Sequence, residues 1–162
     1  MAVKLNSELA AFFQTGDQPS EAEFGHLIDS VLPAPVELPT SDATLTKATY
    51  QGRTLIASDV GSNTEYTIEA PAAAGEWYKF VYAGGATDAQ DHIFTVTTAN
   101  YKGNITHLDT NADNAVDHPN GTSEKTLTLN TSQAFEVNMI SYSTSVMYVW
   151  GWVVSADAPA FS

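Results

Sequence analysis

The chain has 162 residues, of which 43 % are hydrophobic and 15 % charged, and this length allows one domain with a sizeable core. Its net charge is −13, which excludes nucleic acid and anionic membranes as main partners because their phosphates would repel it. There is no cysteine, so disulfide bonds and cysteine-ligated zinc are excluded. We expect no secretion signal and no transmembrane helix, since no long apolar segment of either kind is present.

The first 33 residues have the pattern of a helical hairpin. Apolar side chains recur at helical spacing in residues 5–13 and again in residues 24–32. Between these runs, Ser20 and Glu23 match a capping box, which marks the start of a second helix. A hairpin this short has too little buried area to be stable alone. It is therefore predicted to pack on another protein or, alternatively, as a lid on its own sheet.

A proline-rich linker is predicted at residues 34–44, followed by a β domain at residues 45–162. Short runs of alternating polar and apolar residues recur through the second part, with glycine, asparagine or aspartate between most of them. The predicted strands are 45–50, 53–57, 64–69, 76–83, 92–98, 103–108, 125–130, 134–142 and 146–154. This spacing favours an antiparallel sandwich or barrel, and the absence of long helices between strands argues against a parallel α/β sheet.

The last predicted strand is apolar on both of its sides. Tyr148, Trp150 and Trp152 share one side, while valines and a methionine occupy the other. A sandwich strand needs only one apolar side, so the second must meet the helical arm, a neighbouring subunit, a ligand, or another part of the same domain. These three aromatic residues are candidate interface residues.

Residues 107–124 form the segment most suggestive of a metal site. Asp109, Asn111, Asp113 and Asp117 stand at positions 1, 3, 5 and 9 of a calcium-loop pattern. The pattern then fails, since its sixth position is not glycine and its twelfth carries no carboxylate. We therefore favour a polar hairpin loop over a calcium or magnesium site and predict no cofactor.

One further group of residues has the composition of a catalytic or metal site. Asp88, Asp91 and His92 lie close together in sequence, as an acid–base or metal site requires, but they belong to a polar loop. No metal-binding histidine spacing and no hydrolase serine motif is present, so no enzymatic activity is predicted.

Aromatic residues offer a second kind of candidate site. Trp77 and Tyr78, together with Trp150 and Trp152, have the composition of an aromatic platform for sugars. The alternative is packing in the core or at an interface, where aromatic residues are equally common. We favour packing.

Three stretches resemble structural proteins of tailed bacteriophages. Residues 9–32, "LAAFFQTGDQPSEAEFGHLIDSVL", are similar to the pattern F-x-T-G-x-x-P-T/S-x-x-x-F-x-x-L-I-D-S at the N-terminus of many such proteins. The matching residues are Phe13, Thr15, Gly16, Pro19, Ser20, Phe24, Leu27, Ile28, Asp29 and Ser30. Residues 66–84, "YTIEAPAAAGEWYKFVYAG", and 150–162, "WGWVVSADAPAFS", resemble a strand–turn–strand and a closing strand of head-decoration and fibre domains.

The resemblance implies a jelly-roll-like β-sandwich, commonly trimeric, in the outer shell of a virion. It implies a capsid decoration (cement) protein, or alternatively a head-fibre or tail-attached module that binds host-surface glycans. The expected partners are the major capsid protein and two further copies of the chain, and the expected location is the capsid exterior after assembly in the host cytoplasm. The residues expected to dock on the capsid or on a neighbouring protomer are Phe12, Phe13, Phe24, Leu27, Ile28 and Leu32.

Overall fold

Two β-sheets face each other in the computed structural model, which describes residues 20, 22, 33–82, 84, 90–120 and 122–162. Among these residues, the first strands are β1 (Val36–Glu37), β2 (Ala43–Leu45), β3 (Thr54–Ile56), β4 (Thr64–Ile68), β5 (Trp77–Tyr82) and β6 (His92–Val96). The remaining strands are β7 (Asn100–Asp109), β8 (Ala115–Asp117), β9 (Thr126–Leu129), β10 (Ala134–Ser143), β11 (Val146–Ser155) and β12 (Ala160–Phe161). A helix of one turn, α1 (Lys47–Tyr50), lies between β2 and β3.

The two sheets are mixed, which corrects the prediction of a purely antiparallel sandwich. The seven-stranded sheet has the order β1-β3-β5-β10-β11-β7-β8, and the five-stranded sheet has the order β12-β9-β6-β4-β2. From β1 to β6 the chain changes sheet at every strand, so that β1, β3 and β5 run parallel in one sheet and β2, β4 and β6 in the other. Between two parallel neighbours of one sheet, the chain thus passes through a strand of the opposite sheet rather than through a long helix.

Most predicted strands are present, and one is wrong. Residues 45–50 do not form a strand, because β2 ends at Leu45 and α1 follows at once. The backbone N–H of Lys47 donates to Glu69 Oε2 at 2.8 Å, so a side chain of the neighbouring segment helps to hold the first turn. The helical arm predicted at residues 1–33 lies almost wholly outside the described residues. Strand β1 falls within the predicted linker and β2 crosses its end at residue 44, although the division into domains remains a prediction.

The core lies between the sheets and is rich in aromatic side chains. Inward-pointing residues alternate with outward-pointing ones along β4, β5, β6 and β10, as a sheet buried on one face requires. The largest fully buried aromatic side chains are Tyr66, Tyr78, Phe80, Phe94, Tyr101 and Phe135. Their alternation explains why the hydrophobic pattern predicted these strands.

Alkaline pH is expected to destabilise the fold through Tyr66. Burial, and secondly the charge of Asp42, raises the pKa of Tyr66 from 10.0 to about 12. The unfolded chain would ionise this tyrosine near pH 10, so its contribution is complete below pH 10 and is lost as the pH rises towards 12. The expected loss from this residue is about 2–3 kcal/mol, measured by urea unfolding at several pH values.

The matched control for this prediction is Tyr66→Phe. The variant lacks the hydrogen bond from the Tyr66 hydroxyl to the Pro39 carbonyl, 2.9 Å long, so it should be about 1 kcal/mol less stable at pH 8. Its stability should then fall less steeply above pH 10 than that of the parent protein. Equal slopes in the two proteins would contradict the assignment.

Candidate binding surface

The side of the seven-stranded sheet that points away from the five-stranded sheet carries exposed aromatic residues; we call it the outer face. All three tryptophans of the chain lie there, with Trp77 on β5 and both Trp150 and Trp152 on β11. They are 40 %, 41 % and 37 % exposed, and Tyr148 beside them is 45 % exposed. Tryptophan is usually well covered in a folded protein, so an open sheet face that holds every tryptophan is a candidate binding surface.

Strand register places these rings among short polar side chains. Trp150 is paired with Asn138 of β10 on one side and with Asn104 of β7 on the other. The rings of Tyr148 and Trp150 are 6.0 Å apart and inclined at 43°, so they do not form one flat platform. Further half-buried apolar residues point to the same side, namely Val81, Leu108, Ile140, Val146 and Val154. The outer face is therefore mainly apolar, with polar groups between the rings.

One ion pair lies on the outer face. The Lys79 ammonium is 3.1 Å from Glu136 Oε2, and the Asn138 amide donates to the other carboxylate oxygen at 3.3 Å. The hydrogen bond from Lys79, followed by that from Asn138, holds the pKa of Glu136 below its usual value. The carboxylate is therefore charged at neutral pH, and Lys79 offsets its charge locally.

The structure brings together only part of the candidate sugar platform. Trp77 does share the outer face with Trp150 and Trp152, because β10 lies between their strands. Tyr78 does not, since it is 1 % exposed and points into the core, where burial raises its pKa. Successive residues of a strand point to opposite sides, so Trp77 and Tyr78 cannot both contribute to one surface.

The four candidate metal ligands are spread over a hairpin. Asp109 ends β7 and Asp117 ends β8, and the residues between them form the turn. One oxygen of Asp109 accepts the backbone N–H groups of Asn111 at 2.7 Å and of Ala112 at 3.0 Å. Within the described part of the chain, no three His, Asp or Glu side chains are arranged to hold a metal ion. The structure thus places Asp109 as the residue that organises a polar turn.

Replacing Asp109 by alanine should loosen this turn. Two backbone N–H groups would lose their acceptor, so we expect a loss of about 1 kcal/mol in the free energy of unfolding. Asp113→Ala changes the charge equally in the same exposed loop and should stay within about 0.5 kcal/mol of the parent protein. Thermal unfolding with and without millimolar calcium checks the metal alternative. A calcium-dependent rise in Tm that disappears in Asp109→Ala would show a metal site after all.

Asp91 and His92 have separate structural roles. The Asp91 carboxylate accepts the Thr131 backbone N–H at 3.1 Å and the Asn63 amide at 2.8 Å, which ties two turns together. His92 is fully buried, with Nε2 at 3.2 Å from the Ser58 carbonyl oxygen and Nδ1 at 3.3 Å from the Ser132 hydroxyl. The two neighbouring residues therefore do not converge on one acid–base site. Asp88 lies outside the described residues.

The predicted docking residues of the arm also lie outside the described residues. They are Phe12, Phe13, Phe24, Leu27, Ile28 and Leu32.

Among the described residues, no helix is long and apolar enough to cross a membrane. Comparison of the chain with protein-family models, with curated proteins and with solved structures finds no match. The outer face and the sequence pattern are therefore the features that bear on function.

Proposed function

We propose that this chain is a non-enzymatic structural protein that decorates and stabilises the outside of a tailed-phage capsid. The observation that carries the proposal is the outer face, where three tryptophans and Tyr148 are between 37 % and 45 % exposed on an open sheet. Such a face is suited to being covered by protein, because aromatic side chains provide most of the energy at protein interfaces. The resemblance of residues 9–32 to phage structural proteins supplies the class of assembly.

In this proposal the chain is part of a larger assembly on the capsid exterior. Its partners are the major capsid protein and further copies of itself in a homotrimer. The proposal includes a jelly-roll-like sandwich that is preceded by a helical hairpin at residues 1–33. Each added contact buries apolar area between subunits, and that area opposes the outward pressure of a packaged genome.

The abundance of this protein in purified virions tests the proposal. Quantitative mass spectrometry against the major capsid protein should give a copy number within a few-fold of that protein. A trace ratio would contradict decoration of the shell and would place the chain at a vertex or in the tail.

The role predicted for the helical arm has its own test in the full-length chain. Phe24→Ser and Leu27→Ser together should release the protein from particles while the circular dichroism of the β domain is unchanged. A double variant that still sediments with particles would show that these residues do not dock.

Binding of host-surface glycans is the second candidate function. The observation in its favour is the position of Trp150 between Asn104 and Asn138, which places hydrogen-bonding amides on both sides of an exposed ring. Titration with cell-surface polysaccharide should then change the tryptophan emission, and Trp150→Ala should abolish binding without unfolding the chain. Unchanged emission at saturating polysaccharide would exclude this function for the outer face.

A further inference from the structure

We propose that the outer face is an interface between copies of this chain. The inference rests on the proposed function in one respect, namely that the chain works as part of an assembly, and it names the occupant of the face. Three features favour a second copy: the apolar character of the face, its charge, and its area.

The apolar character of the face continues well beyond the aromatic rings. Ile56 and Val116, 41 % and 59 % exposed, lie on strands at the two flanks of the sheet. Together with the half-buried valine, leucine and isoleucine side chains, they extend the apolar area across most of the sheet. A sugar site needs rings and hydrogen-bonding groups but not flanking aliphatic side chains. A protein that covers the face would contact both the aromatic rings and the flanking aliphatic side chains.

The charge of the face differs from that of the whole chain. The molecule carries −13, so two copies repel each other unless they meet at a surface free of excess negative charge. The outward positions of β5, β10, β11 and β7 carry Lys79, Lys102 and Glu136 as their charged residues, which sum to +1. Two of the six basic residues of the chain thus lie on these four strands. Glu37 of β1, which is paired with Ile56, brings the sum for the whole outer face to zero. A second acidic copy can therefore approach here without bringing together two surfaces of net negative charge.

The area of the face is close to the lower limit for a stable association. Three of the four strands have ten residues and β5 has six. At about 4.8 Å between strands and about 3.3 Å per residue, the footprint is roughly 570 Å² before side-chain relief. Stable protein interfaces bury about 1,200–2,000 Å² in total, and two such faces together come close to the lower end of this range. Two such sheets stack at ~10 Å with interdigitating side chains, as the two sheets of a sandwich do.

Sedimentation equilibrium between 1 and 200 µM tests the inference directly on the full chain. We expect oligomers whose association strengthens as NaCl is raised from 50 to 500 mM, because salt screens the repulsion between the acidic surfaces that lie outside the interface. All three tryptophans report on this one face, so their emission should shift to the blue with the same concentration dependence. Trp150→Ala combined with Trp152→Ala should weaken association at least 100-fold.

A matched pair of charge reversals separates interface effects from folding effects. Lys102→Glu introduces a negative charge beside Tyr148 and should weaken association at least 10-fold. Lys125→Glu makes the same change in net charge before β9 of the other sheet, on an exposed side chain, and should leave association within about twofold of the parent protein. Far-ultraviolet circular dichroism checks that both variants fold.

Three results would overturn the inference. The first is a monomer at 200 µM in both salt concentrations, and the second is oligomers that persist in the double tryptophan variant. The third is a monomer whose tryptophan emission changes when polysaccharide is added, which would assign the face to glycans. The two proposals can fail separately. If the chain associates through this face but is present only in trace amounts in virions, the inference stands and capsid decoration is rejected.

Discussion

Replacing Gly103 by alanine is expected to lower the free energy of unfolding by about 4 kcal/mol. Gly103 lies in β7 with φ +116°, a conformation that residues with a side chain rarely adopt. A Cβ atom added there would stand 1.9 Å from the carbonyl oxygen of Val149, a main-chain atom of the neighbouring strand β11. Relieving that collision means separating β7 from β11, whose parallel ladder runs from Val146 to Ser155.

Gly61 provides the matched control, since a Cβ atom built there meets nothing within 4 Å. Gly61→Ala should change the free energy of unfolding by no more than about 1 kcal/mol, and towards greater stability. Urea unfolding followed by circular dichroism measures both variants. A Gly103→Ala protein as stable as the parent would show that β7 and β11 are not paired in this register.

The strands that the sequence predicted well are those with one buried side. In β10, residues alternate between buried and partly exposed from Ala134 to Ser141, and this period of two is visible in the sequence itself. The same holds for β5 and β6. Strands β1, β8 and β12 were missed, because two or three residues are too few to show a clear period.

Strand pairing could not be predicted from these patterns. Gly103 is opposite Val149, 46 positions further along the chain, and nothing in either strand identifies the other as its neighbour. The antiparallel expectation assumed that strands adjacent in sequence pair within one sheet. In this fold, β1 to β6 cross between sheets at each step, and an alternating pattern is the same in parallel and antiparallel strands.

The candidate surface could be predicted within a strand but not across strands. Alternation alone placed Tyr148, Trp150 and Trp152 on one side of β11, and the structure has all three partly exposed there. Trp77 joins them only through the pairing of β5 with β10 and of β10 with β11. The nearly neutral charge of the outer face likewise depends on which strands are neighbours, so the sequence gives no sign of it.

Replacing Phe94 by alanine is expected to cost about 4 kcal/mol of unfolding free energy. Phe94 belongs to β6 of the five-stranded sheet, and its ring centre is 4.5 Å from that of Phe80 and 6.1 Å from that of Phe135. Both partners belong to the seven-stranded sheet, so this ring joins the two layers. The ring is fully buried among aromatic side chains that cannot all move inwards, and the alanine variant would therefore retain a cavity.

Two comparison variants distinguish the cavity from a general effect of losing an aromatic ring. Phe94→Leu keeps most of the volume and should lose less than about 2 kcal/mol. Tyr142→Ala removes a ring that is 78 % exposed and should stay within about 0.5 kcal/mol of the parent protein. Urea unfolding curves of the three variants should therefore rank Phe94→Ala, Phe94→Leu and Tyr142→Ala in decreasing order of damage. Removing a ring that joins the two sheets must cost the contacts that it makes with each of them. If Phe94→Ala lost no more unfolding free energy than Tyr142→Ala, the two sheets could not be packed through Phe94.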